Sequence, residues 1–492
     1  MHILFVYSQQ NTVLLRKPLR GQEEISFGIS YIASMLESKG HIAELLVLNR
    51  NNDRQNRKML NEVIQKFRPG LICFTSVFSE FEYISEVASF VKDTYSNTYL
   101  LLGGVHITLN PNENALLVFN ALCIGEGEYP VLELVQCLEQ KKQPSRIANL
   151  WIKTTEGIEK NTTRPFIEDL DSLPFPNRQM WQPWILNRET RITVLLGRGC
   201  PFNCTYCCNH ELRKISEGKY VRLRSPENII NEIKMLATQF PSVSEYFLEV
   251  ETLGVDINWL EQLCDALHTL NTKMGKPLNF GSNLRVHPNI DLNKIFTLLK
   301  HGGFKSIVIG LESGSERIRR EILNRNHSNN DILLAAQLAK ENSIGLGLFN
   351  LVGLPEETPI DFEETLKMNQ AIQPQWHATS IFFPYPGTKL FDKVKELGVL
   401  PPALNGKNER QLARISYKSF SKKQIQKAFD SFHYKVYKAK PDKQLLKSLI
   451  YYFQSYFGHN FMAKAKLGVI KTLYTLHLDG FAKKMGLFGV FQ

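Results

Sequence analysis

No run of eighteen apolar residues occurs in this 492-residue chain, so no segment has the length an ordinary membrane-spanning helix needs. The first residues, Met1-His-Ile-Leu-Phe-Val-Tyr-Ser8, lack a basic stretch followed by an apolar one. They read as a short buried strand, not a signal peptide. Low-complexity tracts and short repeats are absent too, which removes solenoids and fibrous folds from consideration. Cysteine is sparse: eight residues, four of them crowded into Cys200–Cys208 and the rest single. That distribution argues against a disulfide framework and for metal binding or redox chemistry. Cys73, Cys123, Cys137 and Cys264 fall in apolar patterns and read as plain core.

What is present is ordinary in bulk. Hydrophobic residues make up 43% and charged residues 22%, as in a globular protein, and the length favours two to four domains. The net charge of +11 is unevenly placed: from residue 401 onward 17 Lys and Arg face 4 Asp and Glu, a net of +13, which leaves −2 for the first 400 residues. The basicity belongs to the tail.

Residues 1–140 alternate apolar strands (His2–Tyr7, Ala43–Leu48, Leu71–Val77, Tyr99–Leu102, Ala121–Ile124) with amphipathic stretches at about 26–39, 53–67, 80–95, 112–119 and 128–140. Near-continuous apolar strands separated by helices indicate a parallel sheet covered on both faces. This is a doubly wound α/β domain, with any ligand at the strands' carboxyl ends. Residues 141–189, interrupted by Pro165, Pro174, Pro176 and Pro183, read as a linker. A second α/β series spans 190–398, with strands at Ile192–Leu196, Tyr246–Val250, Leu278–Ser282, Ser306–Leu311, Gly345–Leu351 and Thr379–Phe383. Six such strands suit a partial or complete parallel barrel with its reactive groups at the C-terminal strand ends. Residues 399–492 read as helical, basic and aromatic.

Immediately after the first strand of that series comes Gly197-Arg-Gly-Cys-Pro-Phe-Asn-Cys-Thr-Tyr-Cys-Cys-Asn-His210, with cysteines spaced C-x3-C-x2-C. The glycines let the backbone turn sharply out of the strand. Three thiolates, Cys200, Cys204 and Cys207, can hold three irons of a cubane and leave the fourth open, as a substrate-binding cluster needs. The alternative is a structural zinc closed by Cys208 or His210. Zinc sites usually pair cysteines as C-x2-C at two separated places, and no second pair exists here.

The spacing, with Tyr206 as its aromatic residue, resembles the signature of the radical S-adenosylmethionine superfamily. The resemblance implies a [4Fe–4S] cluster whose open iron is chelated by the amino and carboxylate groups of S-adenosylmethionine, and whose electron releases a 5′-deoxyadenosyl radical. In this reading Tyr206, Glu251, Asn283, Arg285, Glu312 and Ser313 line the S-adenosylmethionine site. Glu251, with Glu249 second, stands where such proteins often carry Gly-Gly-Glu, although Leu248-Glu-Val-Glu-Thr-Leu-Gly254 has no paired glycines. A carboxylate suits an ammonium, and the Arg285 guanidinium suits a carboxylate. Glu312 and Ser313 belong to Gly310-Leu-Glu-Ser-Gly314, which looks like the family's region around the ribose and carboxylate.

The doubly wound domain resembles that of the cobalamin-binding members. Gly103-Gly-Val-His-Ile-Thr108, Ile124-Gly-Glu-Gly-Glu128 and Phe27-Gly-Ile-Ser-Tyr-Ile-Ala-Ser-Met-Leu36 carry this likeness. It implies cobalamin held by Thr75, Ser76, Gly103, Gly104, Gly125, Glu126 and Gly127. Residues 8–28 contain no histidine, so no protein histidine is expected beneath cobalt, and His106 reads as a turn or pocket-wall residue.

The expected fold is therefore a Rossmann-like cobalamin-binding-type domain, a partial (β/α)6 radical barrel and a helical basic C-terminal region. The expected activity is cobalamin-dependent C-methylation in a biosynthetic pathway, with a radical cyclase or mutase, or a non-catalytic iron–sulfur protein, as alternatives. A methylthio-transferring tRNA enzyme would want a second three-cysteine set, which is missing. Expected partners are a small-molecule or lipid-like substrate and an electron donor such as flavodoxin or ferredoxin, with no nucleic acid. The expected location is cytoplasmic, with the inner face of the membrane as the alternative. The lysine-rich aromatic pattern of 443–477 suits either a helix on an anionic membrane surface or a cap packed on the barrel. No catalytic side chain is nominated.

Overall fold

Strand β1 (His2–Gln9) buries side chains on both faces, and this sets the architecture of the N-terminal sheet. In a computed structural model, which describes residues 1–10, 17–50, 52–438 and 468, the sheet continues with β2 (Ile42–Asn49), β3 (Leu71–Thr75), β4 (Tyr99–Gly103) and β5 (Ala121–Cys123). The order is β2-β1-β3-β4-β5, all parallel. Ile3, Phe5, Leu45, Val47, Leu71 and Leu101 pack into one core layer; Leu4, Val6, Leu46, Leu48, Ile72 and Leu102 pack into the other. Successive residues serve opposite faces, so the runs are apolar throughout rather than alternating. Cys73 and Cys123 sit in the first layer, where burial pushes both thiols up.

Residues 150–160, inside the expected linker, are folded. Strands β6 (Leu150–Thr154) and β7 (Gly157–Lys160) extend the sheet antiparallel beyond β5. Trp181, also in that segment, is fully buried in the first core layer, and its indole donates to Ser30 Oγ at 2.8 Å. Prolines flank the hairpin, Pro144 before it and Pro165 after it, so a folded hairpin and a proline-interrupted connection share one stretch. The helix expected at 112–119 forms as one short turn, Glu113–Leu117, and a further short helix, Val105–Leu109, precedes it.

The second series contains β8 (Ile192–Leu195), a short pair β9 (Gly197–Arg198) and β10 (Arg222–Leu223), then β11 (Glu245–Leu253), β12 (Asn279–Leu284), β13 (Phe304–Glu312), β14 (Gly345–Val352) and β15 (Trp376–Ile381). Apart from the β9–β10 pair, the strand order is β15-β14-β13-β12-β11-β8, sequential as a partial (β/α)6 barrel requires. Intervening helices begin on side-chain caps: Ser328 and Thr358 each close a capping box with an aspartate three residues on. The chain divides into two compact units, one being Met1–Asn203, Cys207–Glu251 and Tyr385–Thr388, and the other Cys204–Tyr206, Thr252–Pro384 and Lys389 onward.

Of the expected helical C-terminal region, the described part holds one helix, Lys422–Tyr437, started by a capping box at Ser421. His377 of β15 stacks on His433 and Tyr437 of that helix. The amphipathic pattern at 443–477 lies outside the described residues, apart from residue 468. No described helix is long and apolar enough to cross a membrane.

Candidate functional site

The cysteine loop starts from β9, which pairs antiparallel with β10. Gly199 has φ +88°, and a Cβ there would run into the Tyr220 carbonyl oxygen, so only glycine fits this turn. Arg213 braces the loop in the first unit: its Nη2 donates to the carbonyls of Cys200 at 3.0 Å and Phe202 at 3.2 Å. Cys200 is buried, and all eight cysteines are free thiols. Cys207 accepts from the Cys208 thiol first and from Asn209 second, and together these lower its pKa to about 6. Cys208, the donor of that pair, is held as a thiol. Asn209 is itself oriented by Tyr220, whose hydroxyl donates to its Oδ1 at 2.6 Å. Asn209 Nδ2 also donates to Cys207 Sγ at 3.5 Å, so this sulfur sits where its thiolate form is favoured.

Glu251, near the end of β11, is exposed; desolvation pushes its carboxyl up, opposed by a hydrogen bond from Asn209.

In the second unit, Cys204 and Tyr206 are held from behind by the turn Ile318–Ile322. Thr205 Oγ1 donates to the Ile322 carbonyl at 2.5 Å and Thr205 N–H to that of Leu323 at 3.3 Å. Tyr206 donates to Glu312 Oε1 at 2.8 Å. Arg325 Nη1 reaches both the Tyr206 hydroxyl at 2.9 Å and Glu312 Oε1 at 3.1 Å, while its Nη2 takes the Gly310 carbonyl at 2.7 Å. Glu312 adopts φ +63°, where the β13–β14 register slips between Gly310 and Glu312. That bulge turns its carboxylate toward Tyr206.

Ser313 is fully buried, and its Oγ faces Thr365 Oγ1 at 3.4 Å and the Ser315 N–H at 3.2 Å. The structure therefore brings Tyr206 and Glu312 together and commits the Ser313 hydroxyl to the protein interior. Asn283 lies half-buried on β12. Arg285, just beyond it, donates through Nη1 to Cys204 Sγ instead of standing clear for a carboxylate.

On the N-terminal sheet, Thr75 ends β3, and Ser76 follows with its Oγ buried and without a partner among the described residues. Gly104 has φ +102°; a Cβ would lie 2.5 Å from Ser76 O and 2.7 Å from Ser76 N. Gly104 therefore lets the chain leaving β4 pack directly against the Ser76 backbone at the carboxyl end of β3. Gly125 N–H donates to Thr108 Oγ1 at 3.0 Å, and Gly127 precedes the helix Glu128–Glu139. His106 packs its ring on Phe81 at 4.6 Å and Phe78 at 5.5 Å.

Glu126 is otherwise engaged. Its carboxylate accepts from Arg198 Nη1 at 2.9 Å, Arg222 Nη1 at 3.1 Å and the Ile167 N–H at 2.8 Å, and these hold its pKa below the usual range against desolvation. Arg198 also bonds Glu128 at 2.6 Å. Glu126, expected in the cobalamin site, takes part in an ion-pair cluster that anchors the cysteine strand β9. Sequence reasoning missed Arg198, Arg222, Arg213 and Arg325. Arg198 and Arg213 lay beside the motif and could have been tied to it, whereas Arg325, 119 residues from Tyr206, left no local signal.

At the carboxyl end of β14, Glu357 is buried. Its Oε2 accepts from the Gly353 and Leu354 N–H groups at 2.6 and 3.1 Å, and burial pushes its pKa up to about 8. A raised folded-state pKa confers stability that is complete below about pH 4, where the unfolded carboxyl also holds its proton, and that is lost as the pH rises to 8. Glu357→Gln should therefore flatten the fall in thermal midpoint between pH 5 and 8. A fall as steep as that of the wild type, followed by circular dichroism, would count against this assignment.

The donor chemistry fits the groups the sequence implied. Cys207 is held toward its thiolate form, and the buried Ser76 hydroxyl, without a partner among the described residues, offers a hydrogen bond to a ligand at the carboxyl end of β3. Comparison with known proteins agrees. The model of the radical SAM superfamily matches residues 194–368, and that of the B12 binding domain matches residues 19–135. An uncharacterized methyltransferase of Pyrococcus horikoshii is 25% identical over 96% of this chain and 99% of its own length. The anaerobic magnesium-protoporphyrin IX monomethyl ester cyclase of Rubrivivax gelatinosus is 24% identical over 74% of this chain, which spans 65% of that relative. Among solved structures, the radical S-adenosylmethionine methyltransferase TsrM from Kitasatospora setae, with cobalamin and a [4Fe–4S] cluster bound, superposes with a TM-score of 0.62. It is 16% identical, covering 80% of this chain and 78% of that one, a likeness of fold.

Proposed function

For this chain, which belongs to the radical S-adenosylmethionine superfamily and carries a B12-binding domain, we propose a cobalamin-dependent C-methyltransferase acting on a small-molecule substrate. The observation that carries the radical half is the cysteine loop, with Cys207 made a ready thiolate by Cys208 and Asn209. In this reading Cys200, Cys204 and Cys207 hold the cluster, and residues 190–398 work as the radical domain. Residues 1–140, extended by the hairpin 150–160, hold the corrinoid through Thr75, Ser76, Gly103, Gly104, Gly125 and Gly127. When bound, these groups supply the electron and the methyl group that the side chains themselves lack.

The protein's own part is positional. Arg213 and Thr205 fix the loop, Tyr206 and Glu312 form one wall, and Glu251 offers a carboxylate to an ammonium. The likeness to the Pyrococcus methyltransferase over nearly the whole length favours methyl transfer. The likeness to the cyclase keeps radical ring formation as the second reading. A reductant of the flavodoxin or ferredoxin class and a cytoplasmic location belong to this proposal.

The test reads both halves at once. Anaerobically reconstituted protein should retain hydroxocobalamin through gel filtration and, with a strong reductant and S-adenosylmethionine, release S-adenosylhomocysteine only when the corrinoid is present. Gly104→Val should lose the corrinoid while keeping its iron, because a branched side chain cannot clear the Ser76 backbone. Retention without S-adenosylhomocysteine would favour the cyclase reading. No retention at all would remove the cobalamin half.

A further inference from the structure

Arg285 leaves the carboxyl end of β12, and its Nη1 donates to the sulfur of Cys204. Cys204 is buried, so this contact lies where charges are poorly screened. A second guanidinium, that of Arg325, also acts electrostatically on Cys204, but its fork is committed to Tyr206, Glu312 and the Gly310 carbonyl. Arg285 is thus the cation that touches the sulfur. Its charge is felt nearby as well, where it helps keep the buried His327 and the half-buried His287 neutral.

We infer that Arg285 is a positioning residue of the iron–sulfur group, whose N–H donation to Cys204 raises that group's reduction potential. The inference rests on the reading of Cys204 as a cluster ligand. Reduction by one electron from a low-potential carrier adds negative charge that spreads onto the sulfurs. A cationic donor at one of them stabilises the reduced form more than the oxidised one. A neutral side chain at 285 makes reduction harder, and a lysine keeps the charge but gives up the planar fork.

The experiment uses full-length protein reconstituted anaerobically as wild type, Arg285→Lys and Arg285→Met. Iron content is measured first, then the midpoint potential by electron paramagnetic resonance titration without S-adenosylmethionine. Arg285→Met should shift the midpoint negative by a tenfold loss in the reduction equilibrium, about 59 mV for one electron. Arg285→Lys should shift it less in the same direction, and carries the test if the methionine variant fails to assemble a cluster. Equal midpoints at full iron content overturn the inference. Equal midpoints with weakened S-adenosylmethionine binding would return Arg285 to the carboxylate role. A wild type that binds no iron overturns the cluster reading itself, and this inference with it.

Discussion

Cys204→Ala is expected to drop iron from about four atoms per chain to below one after anaerobic reconstitution, and to abolish 5′-deoxyadenosine formation. The size of the effect follows from arithmetic and position. A site-differentiated cubane has only three protein ligands, so removing one leaves two, and neither Cys208 nor Cys264 is placed to replace it. Cys208 is already tied to Cys207 by a thiol-to-thiolate hydrogen bond. Cys264 is buried in the helix Ile257–Lys273. Cys208→Ala makes the instructive contrast. It should keep its iron, because the three ligands remain, but bind it less firmly, because Cys207 loses its first donor. Iron and sulfide analysis report both variants. Undiminished 5′-deoxyadenosine from Cys204→Ala would sink the assignment.

The parts of the fold that sequence reasoning reached are those with a local cause. Ile3 to Val6 are apolar because each face of a covered parallel sheet needs its own residues, so the strands could be read one by one. The cysteine motif was legible because its three thiols fall on one short stretch of sequence, C-x3-C-x2-C. The Leu150–Lys160 hairpin was lost among prolines, although Trp151 to Thr154 followed by a glycine turn carried a weak strand signal. Glu126 was read for its glycine neighbours, while its actual partners, Arg198 and Arg222, come 72 and 96 residues later. Arg285 was read as a partner for a carboxylate, and its contact with Cys204 Sγ depends on the path of a different loop, which the sequence around residue 285 does not carry. Ion pairs between distant segments leave no periodicity, and the structure is needed to find them.

Arg325→Met is the second large effect expected, and it tests the one such pair that joins the aromatic residue of the cysteine motif to β13. Arg325 is buried, and Glu312, which receives it, is 8% exposed. Removing the cation while leaving the carboxylate inside costs roughly 3–5 kcal/mol, because an uncompensated buried charge is worse than either a pair or no pair. The same change frees the Gly310 carbonyl and one acceptor site on the Tyr206 hydroxyl. If the loss comes from the stranded charge, Glu312→Gln in the Arg325→Met background should recover a large part of it. If it comes from packing alone, the double variant should be no better than the single one. Thermal unfolding of the cluster-free proteins, followed by circular dichroism, separates the two outcomes without depending on cofactor loading. Cluster-loaded samples then add the functional side. With Tyr206 held to β13 only through Glu312, iron should stay bound through the three cysteines, while the turnover rate falls more than the affinity for S-adenosylmethionine, since the loop keeps its ligands and loses part of its bearing against β13. An Arg325→Met protein as stable and as active as the wild type would show that Tyr206 and Glu312 hold each other without the guanidinium.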